Sequence, residues 1–280
     1  MISVCITTYN DEKFLKEQSD FILKQLSSND EIIVSDDGSK DATCEIVRAI
    51  NDDRIKMYQN CGTYGFTHNF KNAISKTKGE YIFLSDQDDV WKDNKMNVTM
   101  QDLASHDFVI SDCINVDENM SVIQDSRLKA FDIKAGFMRH SIKSHFLGCC
   151  MALRRNVLEA SLPFPKNDSL LEHDIWLATV AFFCFDTVLI NESLIYYRRH
   201  GYKTFAVGFE KGYSLFNKLY RRIYRIVCLT QIAMKVRNLK ASSNAKSTGG
   251  DCLISKTIVI LWRVMCSTDP IYRNVGGGVA

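Results

Sequence analysis

The sequence lacks any apolar run of the roughly 20 residues that a membrane-spanning helix requires. The best candidate, Ile258 to Met265, is too short and contains Arg263. The first residues, Met1 to Thr8, have neither a basic start nor a small-residue cleavage site, so no secretory signal is predicted there. We therefore expect a cytoplasmic chain, which could still lie peripherally on the inner face of a membrane.

Cysteines with the spacing of a metal site are also lacking. Ten cysteines in 280 residues are too few for a disulfide scaffold. Cys149 and Cys150 are adjacent, and the others stand singly, mostly in apolar runs such as those around Cys5, Cys184 and Cys228. Because a buried free thiol behaves as a small hydrophobe, this usage predicts core thiols in a reducing compartment.

The first half of the sequence contains a regular alternation of short apolar runs and amphipathic stretches. It predicts strands at residues 2–7, 31–35, 54–58 and 81–84, and a helix at residues 66–76. Such alternation is typical of a mostly parallel α/β sheet with helices on its faces, which binds ligands at the carboxyl ends of its strands. Further strands are predicted at 108–110 and 187–190, and helices at 155–160 and 175–183, with a loop-rich stretch before residue 143.

Polar clusters follow three of the predicted strands, at residues 7–10, 36–39 and 86–89. The segment at 86–89, Asp-Gln-Asp-Asp, packs three carboxylates together, and these repel one another unless a cation compensates. Mg²⁺ or Mn²⁺ carrying phosphate oxygens would do so, although a solvated loop or a helix cap before Val90 and Trp91 is the alternative.

The other two clusters each have a structural and a functional interpretation. Asp36 to Ser39 fits a turn with a helix cap, yet one of its two adjacent carboxylates could accept the N–H of a uracil or thymine ring, or bind ribose hydroxyls. The segment at 7–10 could be only a strand end, or it could offer hydroxyls and the aromatic face of Tyr9 to a nucleobase.

Two later segments carry further ionisable residues. Asp174, directly before an apolar helix, could cap that helix or act as a general base, and Trp176 could form an acceptor wall or a helix face. His200 follows the last predicted strand and could be a surface residue or a metal ligand. Arg198 and Arg199 before it would favour an anionic leaving group.

Taken in order, these motifs resemble the inverting glycosyltransferases of family two, over roughly residues 1–205. The closest resemblance is to a bacterial branch with a Ser-Asp-Gln-Asp-Asp-x-Trp motif, here residues 85–91, which includes rhamnosyltransferase-like enzymes of surface-polysaccharide synthesis. The resemblance implies a GT-A fold, Rossmann-like with a mostly parallel central sheet, at residues 1–205. The shift in composition beyond His200 separately predicts a C-terminal helical appendage at residues 206–280.

The resemblance also implies roles for individual residues. Nucleotide-sugar binding falls to five of them: Thr7, Tyr9, Asp37, Asn69 and Asp86. The divalent metal, Mg²⁺ or Mn²⁺, falls to Asp88 with His200, and the catalytic base to Asp174. The acceptor side is predicted to include three residues: Trp91, Gly148 and Trp176.

The implied reaction is a single displacement with inversion at the sugar. Its donor would be a UDP- or dTDP-type nucleotide sugar, and its acceptor a saccharide or a lipid-linked saccharide. Three positions depart from the family pattern: His68 precedes Asn69 where a basic residue is common, Cys61 replaces an Asn-like residue, and Tyr202 follows Gly201 where asparagine is frequent. These departures affect the expected donor more than the chemistry.

Two rival functions remain for this pattern. A nucleotidyltransferase would share the metal chemistry, but it usually has a glycine-rich basic loop near the start of the chain, and the turn at residues 8–11 has none. A non-catalytic nucleotide-sugar-binding module is the second rival, and it would be expected to lose some of the acids that are present here.

Residues 198–246 contain 12 lysines or arginines and one acid, Glu210, with interleaved aromatic residues. This composition predicts one or two amphipathic helices in a basic appendage, and a disordered tail at residues 274–280. The appendage could dock on an anionic membrane surface, or it could be a solvated helical face or an oligomer contact. No nucleic-acid recognition motif accompanies the charge, so nucleic acid is not an expected partner.

Overall fold

The computed structural model describes residues 1–142, 146–199 and 215–243. The strands of this part, in chain order, are β1 (Ile2–Thr8), β2 (Glu31–Asp36), β3 (Ile55–Gln59), β4 (Tyr81–Asp86), β5 (Val90–Trp91), β6 (Phe108–Val116), β7 (Val122–Gln124), β8 (Met151–Arg154) and β9 (Thr187–Arg198). The helices are α1 (Leu15–Leu23), α2 (Thr43–Ala49), α3 (Phe66–Lys76), α4 (Lys95–Leu103), α5 (Arg127–Ala130), α6 (Phe137–Ile142), α7 (Arg155–Ser161), α8 (His173–Cys184) and α9 (Leu215–Ser243). A single 3₁₀ turn, Gly148–Cys150, precedes β8.

The strands of the described residues form one sheet in the order β3-β2-β1-β4-β8-β6-β9-β5, with β7 paired to β6. The first four strands in this order run parallel to one another. Strand β8 is antiparallel to both of its neighbours, β9 is parallel to β6, and β5 is antiparallel to β9. The predicted α/β fold with a mostly parallel central sheet is therefore confirmed.

The core lies on both faces of the sheet because successive strand residues point to opposite sides. In β1, Val4 and Ile6 belong to one apolar cluster and Cys5 to the other, and all three are fully buried. Burial on both faces explains why these strands appear in the sequence as continuous apolar runs rather than as alternating patterns. The free thiol of Cys5 is a core residue, as predicted.

The first half of the chain matches the predicted elements closely, whereas the stretch before residue 143 does not. The helix predicted at 66–76 has those bounds, but the predicted loop contains β7, α5 and α6. Val90 and Trp91 pair with Tyr196 and Ile195 in a short strand, and they do not begin a helix. The second difference arises from pairing with the distant strand β9, which a local pattern does not specify.

The C-terminal region of the described chain is the single helix α9, which packs against α7 and α8. Leu229 and Ile232 of α9 are buried in a third apolar cluster that also contains Trp176 of α8. Among the helices described, none has the length and apolar character that crossing a bilayer requires. The predicted boundary at residue 205 and the predicted disordered tail lie outside the described residues.

Candidate active site

The loops after β1, β2 and β4 lie side by side because these strands are parallel neighbours. In register, Thr8 of β1 is opposite Asp36 of β2, and Thr7 is opposite Asp86 of β4. The Thr8 hydroxyl donates to the Asp36 carboxylate at 2.9 Å. The sheet thus places the three polar clusters at one edge, as the alternation of strands and helices predicts.

This edge carries both an exposed aromatic ring and a fixed carboxylate. The side chain of Tyr9 is exposed, whereas Thr7 and Asp37 are at the limit of burial. The two carboxylate oxygens of Asp37 accept hydrogen bonds from Asn60 Nδ2 and from the Gly65 backbone N–H, both at 2.7 Å. These bonds hold the carboxylate in place, and each oxygen keeps a second lone pair for a ligand.

Asn69 lies beneath the end of β1 rather than in the open crevice. It projects from α3, its Nδ2 donates to the Thr8 carbonyl at 3.2 Å, and it is buried. Its Oδ1 is buried with no hydrogen-bond partner among the described residues. Asn69 therefore supports the strand end that carries Thr7 and Thr8.

The acidic segment separates into two partly exposed carboxylates and one buried carboxylate. Asp86 and Asp88 are partly exposed, whereas Asp89 is 1% exposed. Asp89 Oδ1 accepts from the Arg198 backbone N–H at 3.1 Å, and Oδ2 is buried with no hydrogen-bond partner among the described residues. Ligand atoms of Asp86, Asp89 and the Cys149 thiol lie within 4.8 Å of one another.

The acids perturb one another strongly. Burial, followed by the charges of Asp88 and Asp174, raises the pKa of Asp86 to about 7. Burial and the charges of Asp88 and Asp86 raise the pKa of Asp89 well above its ordinary value. Such mutual repulsion is what a cation placed among these groups would relieve.

A buried lysine lies next to this cluster. Lys95 of α4 is 2% exposed, and its Nζ donates to the Cys149 carbonyl at 3.0 Å and lies 4.6 Å from the centroid of the Trp91 ring. Burial lowers its pKa, while the charge of Asp89 is among those that oppose the shift. The Lys95 amine is thus buried close enough to the acids to be influenced by the charge of Asp89.

Asp174 lies in the first turn of α8, one residue beyond the start of the helix. The helix cap is Glu172, so the interpretation of Asp174 as the capping residue does not hold. Its Oδ1 accepts from the Ile175 backbone N–H at 2.6 Å. Burial, followed by the charge of Glu172, raises the pKa of Asp174 to about 7, which is near neutrality and suits a group that accepts a proton.

Gly148 packs directly against the start of α8. A Cβ atom at this position would lie 3.3 Å from His173 Nε2 and 3.5 Å from Asp174 Cβ. The imidazole of His173 is stacked on Phe70 with a centroid distance of 4.2 Å, and burial lowers its pKa to about 3. The neutral ring and the missing side chain of Gly148 together fix the position of Asp174.

The family comparison agrees with this arrangement. Residues 3–162, more than half of the chain, match the model of glycosyl transferase family 2. The chain belongs to this family.

Relatives of this family-two chain are found in several bacteria. It is 37% identical to glycosyltransferase GlyG of Streptococcus pneumoniae over 123 residues, which cover 42% of this chain and 41% of GlyG. It is 29% identical to an uncharacterized glycosyltransferase of Haemophilus influenzae over 224 residues, 74% of this chain and 68% of that protein. A third relative, the UDP-Glc:α-D-GlcNAc-diphosphoundecaprenol β-1,3-glucosyltransferase WfgD of Escherichia coli, is 32% identical over 98 residues, 35% of this chain and 39% of WfgD. The match thus spans about two fifths of GlyG and of WfgD.

Solved structures share the fold. The S. aureus protein TarS in complex with UDP-GlcNAc superposes with a TM-score of 0.62 at 19% identity, over 81% of this chain and 66% of that one. A Pyrobaculum calidifontis mannosyltransferase in complex with GDP-Man and Mn²⁺ gives a TM-score of 0.57 at 18% identity, over 94% of this chain and 83% of that one. At these identities the likeness establishes the fold, which is of the GT-A type.

Two predicted site residues of the family-two chain are core residues instead. Trp91 is fully buried against Phe83, and Trp176 is 1% exposed with its Nε1 donating to the Ser161 carbonyl at 2.8 Å. A fully packed indole presents no surface to an acceptor, so the prediction that both line the acceptor side is wrong in this structure. Gly148, by contrast, lies against Asp174.

Other expectations change in smaller ways. Asp89 caps no helix, because Val90 begins a strand. Arg198 is 4% exposed. Its Nη2 donates to Glu17 at 2.8 Å and its guanidinium lies 4.0 Å from the centroid of the Phe14 ring, so the side chain is held within the fold. His200 lies outside the described residues.

Three residues of the site were not singled out from the sequence: Gln87, Lys95 and Cys149. Gln87 lies inside the acidic motif, where its position between two acids was a usable signal. Lys95 and Cys149 are brought to the acids only by the sheet, and no local pattern marks either one.

Proposed function

We propose that this chain is a metal-dependent, inverting glycosyltransferase that moves a sugar from a nucleotide-diphosphate donor to an acceptor hydroxyl. One observation carries the proposal: the Asp174 carboxyl, with a pKa near 7, is close enough to Asp86 for its charge to raise the pKa of that acid. Glycosyl transfer needs a group that accepts the proton of the acceptor hydroxyl and a metal ion that stabilises the leaving diphosphate. Asp174 and the neighbouring acid cluster can supply these two functions.

The acid cluster fits a divalent cation. Asp86 and Asp89 approach each other closely, and one oxygen of Asp89 is buried with no hydrogen-bond partner among the described residues. Mg²⁺ and Mn²⁺ prefer oxygen ligands and an open side for phosphate and water. We therefore assign the ion to the partly exposed Asp86 and Asp88, with Asp89 behind them. When bound, such an ion neutralises charge on a departing diphosphate.

The residues of the chain perform the remaining steps. Asp174, when ionised, takes the proton of the acceptor hydroxyl as that oxygen attacks the anomeric carbon, and the bond to the diphosphate breaks on the opposite face of the sugar. Asp174 keeps the proton until solvent removes it. The exposed ring of Tyr9 offers a stacking surface for the nucleobase, with Asp37 as an acceptor for its N–H.

The substrates are proposed by class. TarS binds UDP-GlcNAc, and WfgD is named for UDP-glucose and an undecaprenyl-diphosphate acceptor. We propose a UDP- or dTDP-type donor and a saccharide or lipid-linked saccharide acceptor, within bacterial surface-polysaccharide synthesis. The motif at residues 85–91 supports assignment to the rhamnosyltransferase-like branch.

A donor panel tests the proposal. Purified protein is incubated with nucleotide sugars, with Mn²⁺, Mg²⁺ or a chelator, and release of nucleoside diphosphate is measured. We expect release from at least one donor, dependent on the metal and at least about 100-fold slower in Asp174→Asn and Asp88→Ala. Glu45→Gln, an exposed acid on α2, is the matched control.

The same panel separates the rival functions. Full activity in Asp174→Asn and Asp88→Ala would show that the site is wrongly assigned. Release of pyrophosphate from a nucleoside triphosphate would favour a nucleotidyltransferase. Donor binding by calorimetry without turnover on any acceptor would favour a binding module.

A further inference from the structure

Helix α9 has an inner face that fastens it to the rest of the chain. Leu229 and Ile232 are buried against α7 and α8. Arg221 Nε donates to the Leu170 carbonyl at 3.2 Å, and Arg225 Nη1 donates to the carbonyls of residues 140 and 141, both at 3.2 Å. Arg221 and Arg225, which the sequence suggests for a membrane surface, thus bind backbone carbonyls of the chain itself.

The opposite face of α9 carries a stripe of exposed apolar side chains. Its members follow helical spacing and keep 40% to 76% of their surface exposed: Phe216, Leu219, Tyr220, Ile223 and Val227. Residues three, four, seven and eleven positions apart lie on one side of a helix, so these five form a continuous surface, here called the outer stripe.

The charge of α9 indicates which kind of surface the outer stripe binds. The 29 residues of the helix include seven lysines or arginines and no aspartate or glutamate. Two copies of α9 meeting face to face would bring like charges together, whereas an anionic surface complements them. Phe and Tyr beside cations are the side chains that favour the interface of a lipid bilayer.

We propose that the outer stripe of α9 docks on an anionic phospholipid surface. The helix would lie in the plane of the interface along its length of about 44 Å, with the inner face fastened to the enzyme. This inference does not depend on the transfer reaction. It places the acid cluster and Asp174 at a fixed distance from the lipid, where a lipid-linked acceptor would be found.

Vesicle flotation tests the proposal with the full chain. The variant Leu219→Ser with Ile223→Ser removes two members of the outer stripe, and Val122→Ser with Ile123→Ser removes two exposed apolar residues of β7 as the matched control. All four side chains are exposed, so we expect both variants to keep the melting temperature of the wild type.

We expect the wild type to float with phosphatidylglycerol vesicles, not with phosphatidylcholine vesicles, and less as salt increases. Affinity should fall about tenfold or more in the outer-stripe variant and stay unchanged in the β7 variant. No flotation at low salt, or equal flotation of both variants, would overturn the proposal. A dimer that the outer-stripe variant converts to a monomer, without vesicle binding, would assign the face to a second copy.

A separate observation concerns Gln87, within the acidic motif. Its Oε1 accepts from the Tyr9 backbone N–H at 2.7 Å, and its Nε2 donates to the Tyr9 carbonyl at 3.3 Å. One side-chain amide therefore makes a two-point clamp on the backbone of the residue with the exposed ring. On the other side, Asn10 is joined to the loop after β2 through Ser39 and Lys40.

We infer that Gln87 is a positioning residue that sets the nucleobase side of the site in register with the acids, a role that rests on the proposed function. Asp86 and Asp88 flank Gln87 in the chain, so a shift of either loop is transmitted through the clamp to the other. The clamp would fix the separation between the Tyr9 ring and the carboxylates that face a diphosphate. The donor would span this separation with its base and its diphosphate, whereas the acceptor would contact neither end of it.

Gln87→Met removes both hydrogen bonds at similar volume, and Gln101→Met, on the exposed side of α4, is the matched control. We expect about a tenfold rise in donor KM and in the Kd for UDP with Mn²⁺, with acceptor KM and melting temperature unchanged. Unchanged UDP affinity in Gln87→Met would overturn the inference. If the wild type binds UDP but transfers no sugar, the proposed function fails while the clamp can still be judged by binding.

Discussion

The two sides of the site are held in place by different forces. The proposed donor side, meaning the loops after β1, β2 and β4, is joined by hydrogen bonds such as those of Asp36 with Thr8 and Ser39. The proposed acceptor side, meaning Gly148 and the first turn of α8, depends on close packing, with His173 stacked on Phe70. The first arrangement tolerates small steric changes better than the second, because hydrogen-bonded loops can adjust and a packed contact cannot.

The largest expected effect is the change of kcat/KM with pH, which tests the role of Asp174 on the proposed acceptor side. Because the pKa of Asp174 is about 7, kcat/KM should rise about tenfold per pH unit below neutrality and level above it. Glu172→Gln removes the second cause of that shift, so its profile should move to lower pH by roughly half a unit. Initial rates at saturating donor and metal provide the measurement, and an unchanged profile in Asp174→Asn would contradict the role of this group.

Gly148→Ala should separate the two sides more directly. The added methyl group would lie 3.3 Å from His173 Nε2 and 3.5 Å from Asp174 Cβ, so the first turn of α8 must move. We expect kcat to fall by about 10- to 100-fold, with the donor Kd unchanged. Gly62→Ala, in the loop after β3 that holds Asp37 through Asn60, meets only an ordinary 3.5 Å contact with Asn60 Oδ1, and a comparable loss there would contradict the comparison.

Asp174→Asn should stabilise the fold where it abolishes activity. The folded pKa of about 7 exceeds the ordinary value, so the wild type loses stability as pH rises from about 4 to about 7, and the uncharged variant does not. At pH 8 we expect the variant to gain about 1 to 4 kcal/mol, or roughly 3 to 12 °C in Tm, and near pH 4 almost no difference. Thermal unfolding of both proteins at the two pH values decides the point.

Trp176→Phe should have the smallest effect on activity. The lost hydrogen bond to Ser161 and the smaller ring should reduce the free energy of unfolding by about 1 to 3 kcal/mol. Acceptor KM should change less than about twofold, because the indole has no exposed surface. A large change in acceptor specificity would show that Trp176 contributes to acceptor binding after all.

The comparison also explains how much could be predicted from the sequence. Strand ends and polar clusters are local features, so the loops at residues 7–10, 36–39 and 86–89 were placed correctly at one edge of the sheet. The environment of Trp91 and Trp176 is decided by distant partners, and an indole suits a core and a binding wall equally well. For the same reason the approach of Cys149 and Lys95 to the acids had no local signal.

Strand β9 has a mechanical consequence for the whole enzyme. It runs for 12 residues, about 40 Å, from Thr187 beside the start of β6 to Arg198, whose backbone N–H meets Asp89. One strand therefore runs from the edge of the sheet opposite the site to the acids, and its register with β6 shifts near Asp112. Because this strand already fixes Arg198 against Asp89, we expect turnover to be insensitive to changes that stiffen the sheet.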